Sequence, residues 1–359
     1  MKNKIAIILF ILFLATPLVA MELQIFPTVN YEFRALAQRP TTFALYEYEE
    51  YLNDNFAFKH LFVGLDSAIH KLFASSSSTK TVLGKDGWIF YTDPDSPAYD
   101  PIRAYMGLNK FTASELTQIM DKLSAFSDKL AEEGIAFYLM IPPNKHTVYA
   151  EMLPDYIYQH GGETRMQQLA NYLKENTNVK IIDISTPLIA EHNAHQIYYK
   201  TDTHWNDYGA FIAHKELLKT FGLTPLDYTT QETQVNAMDL ARMAGSPNST
   251  DINYKFTSDS NIKPELIFGA FNSEELSIYS NNTNNTSPSL MIYHDSYTVA
   301  LMPFLTPHFE RTISKWQLKP NAAEVSELKP DIVVFQILER NLEYLLDKSS
   351  LLLYNTQDD

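Results

Sequence analysis

This chain of 359 residues contains no cysteine. That excludes thiol catalysis, thiolate metal sites and disulfides, and it is compatible with any compartment. Basic residues are scarce as well: 28 Lys and Arg stand against 43 Asp and Glu, a formal net charge of −15. With no basic patch to neutralise phosphates, nucleic acid is excluded as a partner. A polyanion could be gripped only through a local basic groove. No internal repeat is visible, and no apolar run reaches the roughly 20 residues of a full membrane span.

What is present is apolar bulk. Hydrophobic residues make up 45% of the chain, enough for a large core, and 22 Tyr with 21 Phe supply packing or stacking surfaces. At the N-terminus, Lys2 and Lys4 precede the apolar run 5–14, followed by Ala15, Thr16, Pro17, Leu18, Val19 and Ala20. A charged start, an apolar run and small residues near a cut after Ala20 describe an export signal. Leu18 fits poorly at the third position before that cut, and the run 5–21 is slightly short for a span. Residues 1–21 are therefore expected to be a cleaved signal or a retained anchor, with the remaining chain working outside the cytoplasm.

Residues 22–80 read as a helical lead-in, with Tyr and Phe abundant over 43–73 and four serines at 75–78. Gly84 and Gly87, ahead of the aromatic run 88–91, predict a turn feeding a strand. Thr112 with Glu115 forms a capping-box pattern. Leu116, Ile119, Met120, Leu123, Phe126 and Leu130 then recur at helical spacing, and Gly134 is placed to end the helix. The apolar run 135–141 before Pro142 and Pro143 predicts a buried parallel strand. A helix over 164–176, a strand over 179–184, a helix over 208–221, strands over 290–293 and 331–338 and a last helix from Asn341 continue the alternation. The expected architecture is an α/β sandwich with a mostly parallel sheet, interrupted by a polar, Asn-, Ser- and Thr-rich insertion or cover over 223–288.

Two polar segments carry the chemistry. Asp202-Thr203-His204-Trp205-Asn206 offers an acid and an imidazole. His294-Asp295-Ser296-Tyr297-Thr298 offers a hydroxyl just past a buried strand. Parallel sheets place their sites at the carboxyl ends of their strands. A strand-to-helix turn there exposes a serine and leaves backbone N–H groups free for an oxyanion. Ser296 is the candidate nucleophile, His204 the base and Asp202 the group that orients it. The plainer alternatives are a helix-capping serine and a loop histidine; a metal reading would group Asp202, His204, Asp207 and His294. Asp295, directly beside Ser296, is expected to shape the turn. Trp205 is a site wall, a sugar platform or core. Lys145 and Arg340 follow predicted strands and are candidate carboxylate ligands or surface cations. Asn206 and Tyr297 flank the reactive groups and complete the candidate substrate contacts.

The stretch from Asp202 to Ala210 resembles the Asp-x-His-Trp signature of the alginate O-acetyltransferase family, the SGNH-like group of periplasmic alginate-acetylating proteins J and X. The segments 84–91 and 142–145, Val148-Tyr149, Leu153-Pro154, 330–333 and Glu339-Arg340 agree with it, so that the likeness runs from about Glu32 to Leu346. It implies a three-layer SGNH-like sandwich over 81–359 with permuted motif order, Asp202 and His204 preceding Ser296. It implies acetyl transfer to exopolysaccharide hydroxyls by Ser296, His204 and Asp202 without a metal or cofactor. It further implies an acetyl supply from a membrane-bound O-acyltransferase, other polysaccharide secretion proteins as partners, and a periplasmic or inner-membrane-anchored location. The chain ends soon after its last expected helix, without room for the C-terminal carbohydrate-binding module of the X type, so the J type is expected. Asp295 departs from the family, which often has a small residue before the serine. The related expectations are an acetylesterase with the same three residues, or a non-catalytic polysaccharide-binding protein.

Overall fold

The computed structural model describes residues 78–246, 249–270, 276–281, 286–347, 350 and 351, preceded by 10, 15–17, 19–21, 23, 25, 37–40 and 45–58. Most of the apolar N-terminal run, the segment 31–36, much of 43–73, the serines 75–77 and the asparagine-rich 282–285 lie outside the described residues. Leu45–Asn55 is helical. Among the described residues no helix is long and apolar enough to cross a membrane.

Strands β1 (Thr81–Leu83) and β2 (Ile89–Tyr91) pair antiparallel across the Gly84–Gly87 turn. Asp86 and Gly87 sit at positive φ (50° and 80°) in that turn, which one of its two glycines relieves. Helix α1 (Ala113–Glu132) starts at the predicted capping box: Glu115 N–H donates to the Thr112 side chain, and the Glu115 carboxylate accepts from Thr112 N–H. Strand β3 (Ala136–Met140), helix α2 (Arg165–Asn176), strand β4 (Lys180–Ile182) and helix α3 (Asp207–Phe221) follow in the expected order.

The polar region holds an antiparallel ribbon of β5 (Thr229–Asn236) and β6 (Thr250–Thr257), and then β7 (Glu265–Phe268) and β8 (Leu276–Ser280), which join the main sheet. Strand β9 (Leu290–His294), helix α4 (Thr298–Leu305), strand β10 (Arg311–Trp316), helix α5 (Ala322–Leu328) and strand β11 (Ile332–Gln336) complete the body. The helix expected from Asn341 is a 3₁₀ stretch, Glu339–Leu346. Its buried residues Glu339, Leu342 and Leu345 are three apart, the repeat of a three-residue turn rather than of an α-helix.

The seven-stranded sheet runs β4-β3-β11-β9-β10-β8-β7. Every neighbour pair from β4 to β10 is parallel, and β8 and β7 add an antiparallel edge. Strand β9 is central and all five of its residues are buried. Leu290 and Ile292 face a core shared with Ala213 and Leu217 of α3 and Leu301 and Leu305 of α4. Met291 and Tyr293 face the opposite core, with Ile119 of α1, Leu169 of α2 and Val325 of α5. A sheet with helices packed on both faces is a three-layer α/β sandwich. It fixes the carboxyl end of β9, where Ser296 follows, at the middle of one sheet edge.

Candidate active site

The turn after β9 is built by Asp295. Its own N–H donates to Gln336 Oε1 (3.1 Å). Its Oδ1 accepts from Tyr297 N–H (3.1 Å) and Gln336 Nε2 (2.8 Å), and its Oδ2 from Leu338 N–H (2.8 Å) and Asn341 Nδ2 (3.3 Å). Three of these four donors hold the buried carboxylate against the end of β11 and the segment after it, and the Tyr297 N–H closes the turn itself. Asp295 is thus a strut between two strand ends. The Ser296 backbone N–H has no acceptor among the described residues.

The Asp202–His204 segment is shaped by α3. Asn206 caps the helix, its Oδ1 accepting from Tyr208 N–H (3.0 Å) and Gly209 N–H (3.2 Å). Its Nδ2 donates to the carbonyls of Gln196 (2.6 Å) and Ile252 (3.3 Å). Gly209 allows this close approach: a Cβ there would sit 2.4 Å from the Ile197 carbonyl oxygen and 2.8 Å from Trp205 Cβ. Thr201, just before Asp202, is clamped by β6. Asp251 Oδ2 accepts both its N–H (2.7 Å) and its hydroxyl (2.6 Å).

Across the two segments, His204 Nδ1 lies 2.6 Å from Asp202 Oδ1 and His204 Nε2 lies 2.7 Å from Ser296 Oγ. Burial opposes ionisation of Asp202. The bonds and charge of His204 outweigh it, with Lys145 assisting, and hold the carboxyl well below the usual carboxylate range. With Asp202 ionised, Nδ1 must carry the proton, which leaves the Nε2 lone pair facing the serine hydroxyl. Two reciprocal bonds staple the segments together: Trp205 Nε1 donates to the Tyr297 carbonyl (3.1 Å), and the Tyr297 hydroxyl donates to the Thr203 carbonyl.

Most of the expected substrate contacts are instead internal supports. Trp205 and Tyr297 are each 1% exposed and Asn206 is fully buried, with their polar atoms engaged as above. Lys145 is also buried, its three N–H groups aimed at the carbonyls of Tyr199 (3.0 Å), Lys200 (3.1 Å) and Asp202 (2.6 Å). Arg340 differs. It opens onto a groove of about 360 Å³ shared with Tyr91, Tyr99, Asn341 and Tyr344, with its guanidinium 5.7 Å from the Tyr91 ring. Two members of a metal reading are bonded elsewhere, His294 to the Asp295 carbonyl and the Ser314 hydroxyl and Asp207 to Asn253. Asp251 and Gln336 carry no signal in the sequence, and Glu339 enters there only through the family resemblance, with no role assigned. They are single polar residues whose partners lie 41 to 195 positions away.

Comparisons with known proteins give the family and the fold. Residues 81–264, about half of the chain, match the family described as SGNH hydrolase-like domain, acetyltransferase AlgX. "Probable alginate O-acetylase AlgJ" of Pseudomonas fluorescens is 28% identical over 189 residues, 50% of this chain and 43% of that protein. Its namesake from Pseudomonas syringae pv. tomato is 27% identical over 176 residues, 47% and 40% of the two chains. The chain thus aligns with less than half the length of these relatives. Among solved structures, a DHHW family protein from Eubacterium siraeum superposes with a TM-score of 0.55 at 16% identity, over 77% of this chain and 99% of that one. PatB1 of Bacillus cereus gives 0.55 at 19%, over 73% and 97%. The O-acetyltransferase domain of Pseudomonas putida AlgJ gives 0.50 at 18%, over 77% and 96%. At such identities the likeness is one of fold. With the family match spanning half of its length and the sandwich shared with these structures, the chain belongs to the AlgJ/AlgX-like family of SGNH hydrolase-like acetyltransferase domains.

Proposed function

We propose that this protein is an O-acetyltransferase that moves an acetyl group through Ser296 to hydroxyls of an exopolysaccharide, alginate or one like it. The observation that carries the reading is the hydrogen-bonded row Asp202–His204–Ser296 at the carboxyl end of the central parallel strand. His204 Nε2 takes the hydroxyl proton as Ser296 Oγ attacks the acetyl carbonyl. The free Ser296 N–H is a donor for the oxyanion, and His204 returns the proton to the leaving group. A sugar hydroxyl then attacks the acetyl-serine with His204 again as base, regenerating Ser296. Asp202 holds the imidazole in its tautomer throughout. Arg340 and the tyrosines of its groove are the acceptor contacts in this reading.

The acetyl donor is a membrane-bound O-acyltransferase, the other partners are polysaccharide secretion proteins, and the site works in the periplasm, exported or anchored by residues 1–21. The apolar, charge-led N-terminal run supports the location. Purified Ser296→Ala is expected to lose acetyl transfer from an acetyl-ester donor by at least ~10³-fold. Full activity in that variant sinks the proposal. Acetate release without any acetylated oligosaccharide assigns the site to an esterase instead.

A further inference from the structure

We infer that Lys145 is a positioning residue for the Asp202–His204 pair: its ammonium locks the loop that presents Asp202, and loss of its proton at alkaline pH disarms the site. The inference rests on the acyl-transfer reading above.

Lys145 opens a short helix, Lys145–Val148, with four residues between it and the carboxyl end of β3, and so stands toward the same sheet edge as Ser296. Its Nζ lies 5.6 Å from the Trp88 ring and 5.4 Å from that of Phe90, and the side chain ends among three carbonyl oxygens, of Tyr199, Lys200 and Asp202. An ammonium has three N–H donors and no acceptor, so three carbonyls saturate it. A neutral amine has two N–H groups and a lone pair. Deprotonation leaves one of the three carbonyls without its donor and turns the lone pair toward it, which costs the unpaired oxygen its hydrogen bond. The Asp202 carbonyl belongs to the same residue as the carboxylate that holds His204 Nδ1 at 2.6 Å. A shift of about 1 Å at such a support can cost on the order of 10²-fold in rate.

Burial pulls the Lys145 ammonium down to about 7, against the opposing pull of Asp202 and Asp251, and Arg340 adds to the effect of burial. Of the other titratable groups around it, burial and Lys145 itself push His146 down to about 3, and burial pushes the hydroxyls of Tyr198 and Tyr199 up, so all three are neutral at working pH. Two groups therefore lose a proton near pH 7, Lys145 and Glu339, whose carboxyl burial raises to about 7 and which is bonded to Asn144 N–H and the Thr147 hydroxyl on the same short helix, while Asp202 stays ionised.

The test uses the full chain and p-nitrophenyl acetate, reading the acylation burst, with Ser296→Ala as the blank. Lys145→Met is expected to melt cooperatively yet acylate on the order of 10²-fold more slowly. In an Asp202→Asn background the same substitution should cost less than threefold, because the two act through one group. The wild-type burst should decline above about pH 7 while the chain still melts cooperatively and so remains folded. Should Lys145→Met fail to fold, the same pH profile read in Glu339→Gln, where Lys145 still titrates near 7 and Glu339 no longer does, decides. A full wild-type burst in Lys145→Met, equal losses in the two backgrounds, or a burst that keeps rising with pH each overturns the inference. If Ser296→Ala bursts like wild type, the acyl-transfer reading fails first.

Discussion

The residue beside the nucleophile is the natural place to look for trouble, because a carboxylate next to an oxyanion site is expected to oppose it. Asp295 avoids this by direction: its two oxygens take four donors from Tyr297, Gln336, Leu338 and Asn341, all on the β11 side or along the turn. Asp295→Asn keeps the shape but sets an amide N–H₂ against at least one of those donors. It should lower stability by about 1–3 kcal/mol and slow acylation. Denaturant unfolding and the burst rate check this, and an accelerated variant would mean that the charge is a burden after all. Asp202→Asn leaves His204 free to adopt the other tautomer, and kcat should fall by roughly 10⁴-fold with little change in fold, as loss of the orienting acid does in serine triads. The residue types at the two motifs were legible in the sequence. Their roles were less so: Asn206, Tyr297 and Lys145 read as candidate substrate contacts and turn inward, as Trp205 does in keeping with its core reading, since a polar residue in a motif can serve the motif's own backbone as readily as a ligand.

At the scale of elements, two helix starts separate stability from activity. Thr112 caps α1 far from the reactive groups, and Thr112→Ala should cost about 1 kcal/mol with acylation unchanged. Gly209, in the first turn of α3, has no room for a Cβ between the Ile197 carbonyl and Trp205. Gly209→Ala must push α3 away from the strand-like pairing of Tyr198 with Trp205, carrying His204 with it. A comparable loss of stability should there come with a loss of activity on the order of 10²-fold. Elements with strong local signatures were readable: α1 from its apolar stripe and cap, β9 and β11 from continuous apolar runs, because a strand buried on both faces needs no alternation. Strand β10 was not, since Arg311, Lys315 and Trp316 break its pattern. It lies parallel to β9 and antiparallel to β8, next to the point where the sheet turns antiparallel. Nor did the polar stretch 223–288 reveal that β7 and β8 extend the main sheet, because hydrogen bonding to a sheet edge leaves little trace in two short strands, one exposed and one half-buried.

For the whole molecule, buried titratable groups set how stability follows pH. Burial, with Lys145 and Arg340 adding, keeps the His146 imidazole down at about 3; burial, with His308 adding, does the same for His214. Their folded values lie below the ordinary 6.5, so their contribution is fully present above that pH and is lost as pH falls toward about 3. Glu339 runs the other way. Burial raises it to about 7, against the donors Asn144 N–H and Thr147 hydroxyl, so its contribution is present below the ordinary 4.5 and is lost as pH rises through about 7. Two imidazoles outweigh one carboxyl, and the melting temperature should fall as pH drops from about 6.5 to about 4.5. Glu339→Gln removes the opposing group and should steepen that fall; calorimetry across the range checks it, and an unchanged slope would mean that Glu339 is ionised in the fold.

The sequence by itself determined the alternation of apolar strands and amphipathic helices, hence the layered α/β class, and it set an acid, an imidazole and a hydroxyl beside expected strand ends. Only the tertiary structure decided that Asp202 and His204 meet Ser296 across more than ninety positions, and that Lys145, Asn206 and Tyr297 face inward while Arg340 faces a groove. Periodicity reports which side of an element is buried. It does not report which distant group lies 2.7 Å away, and that distance determines whether a polar side chain supports the backbone, carries the reaction or meets the substrate.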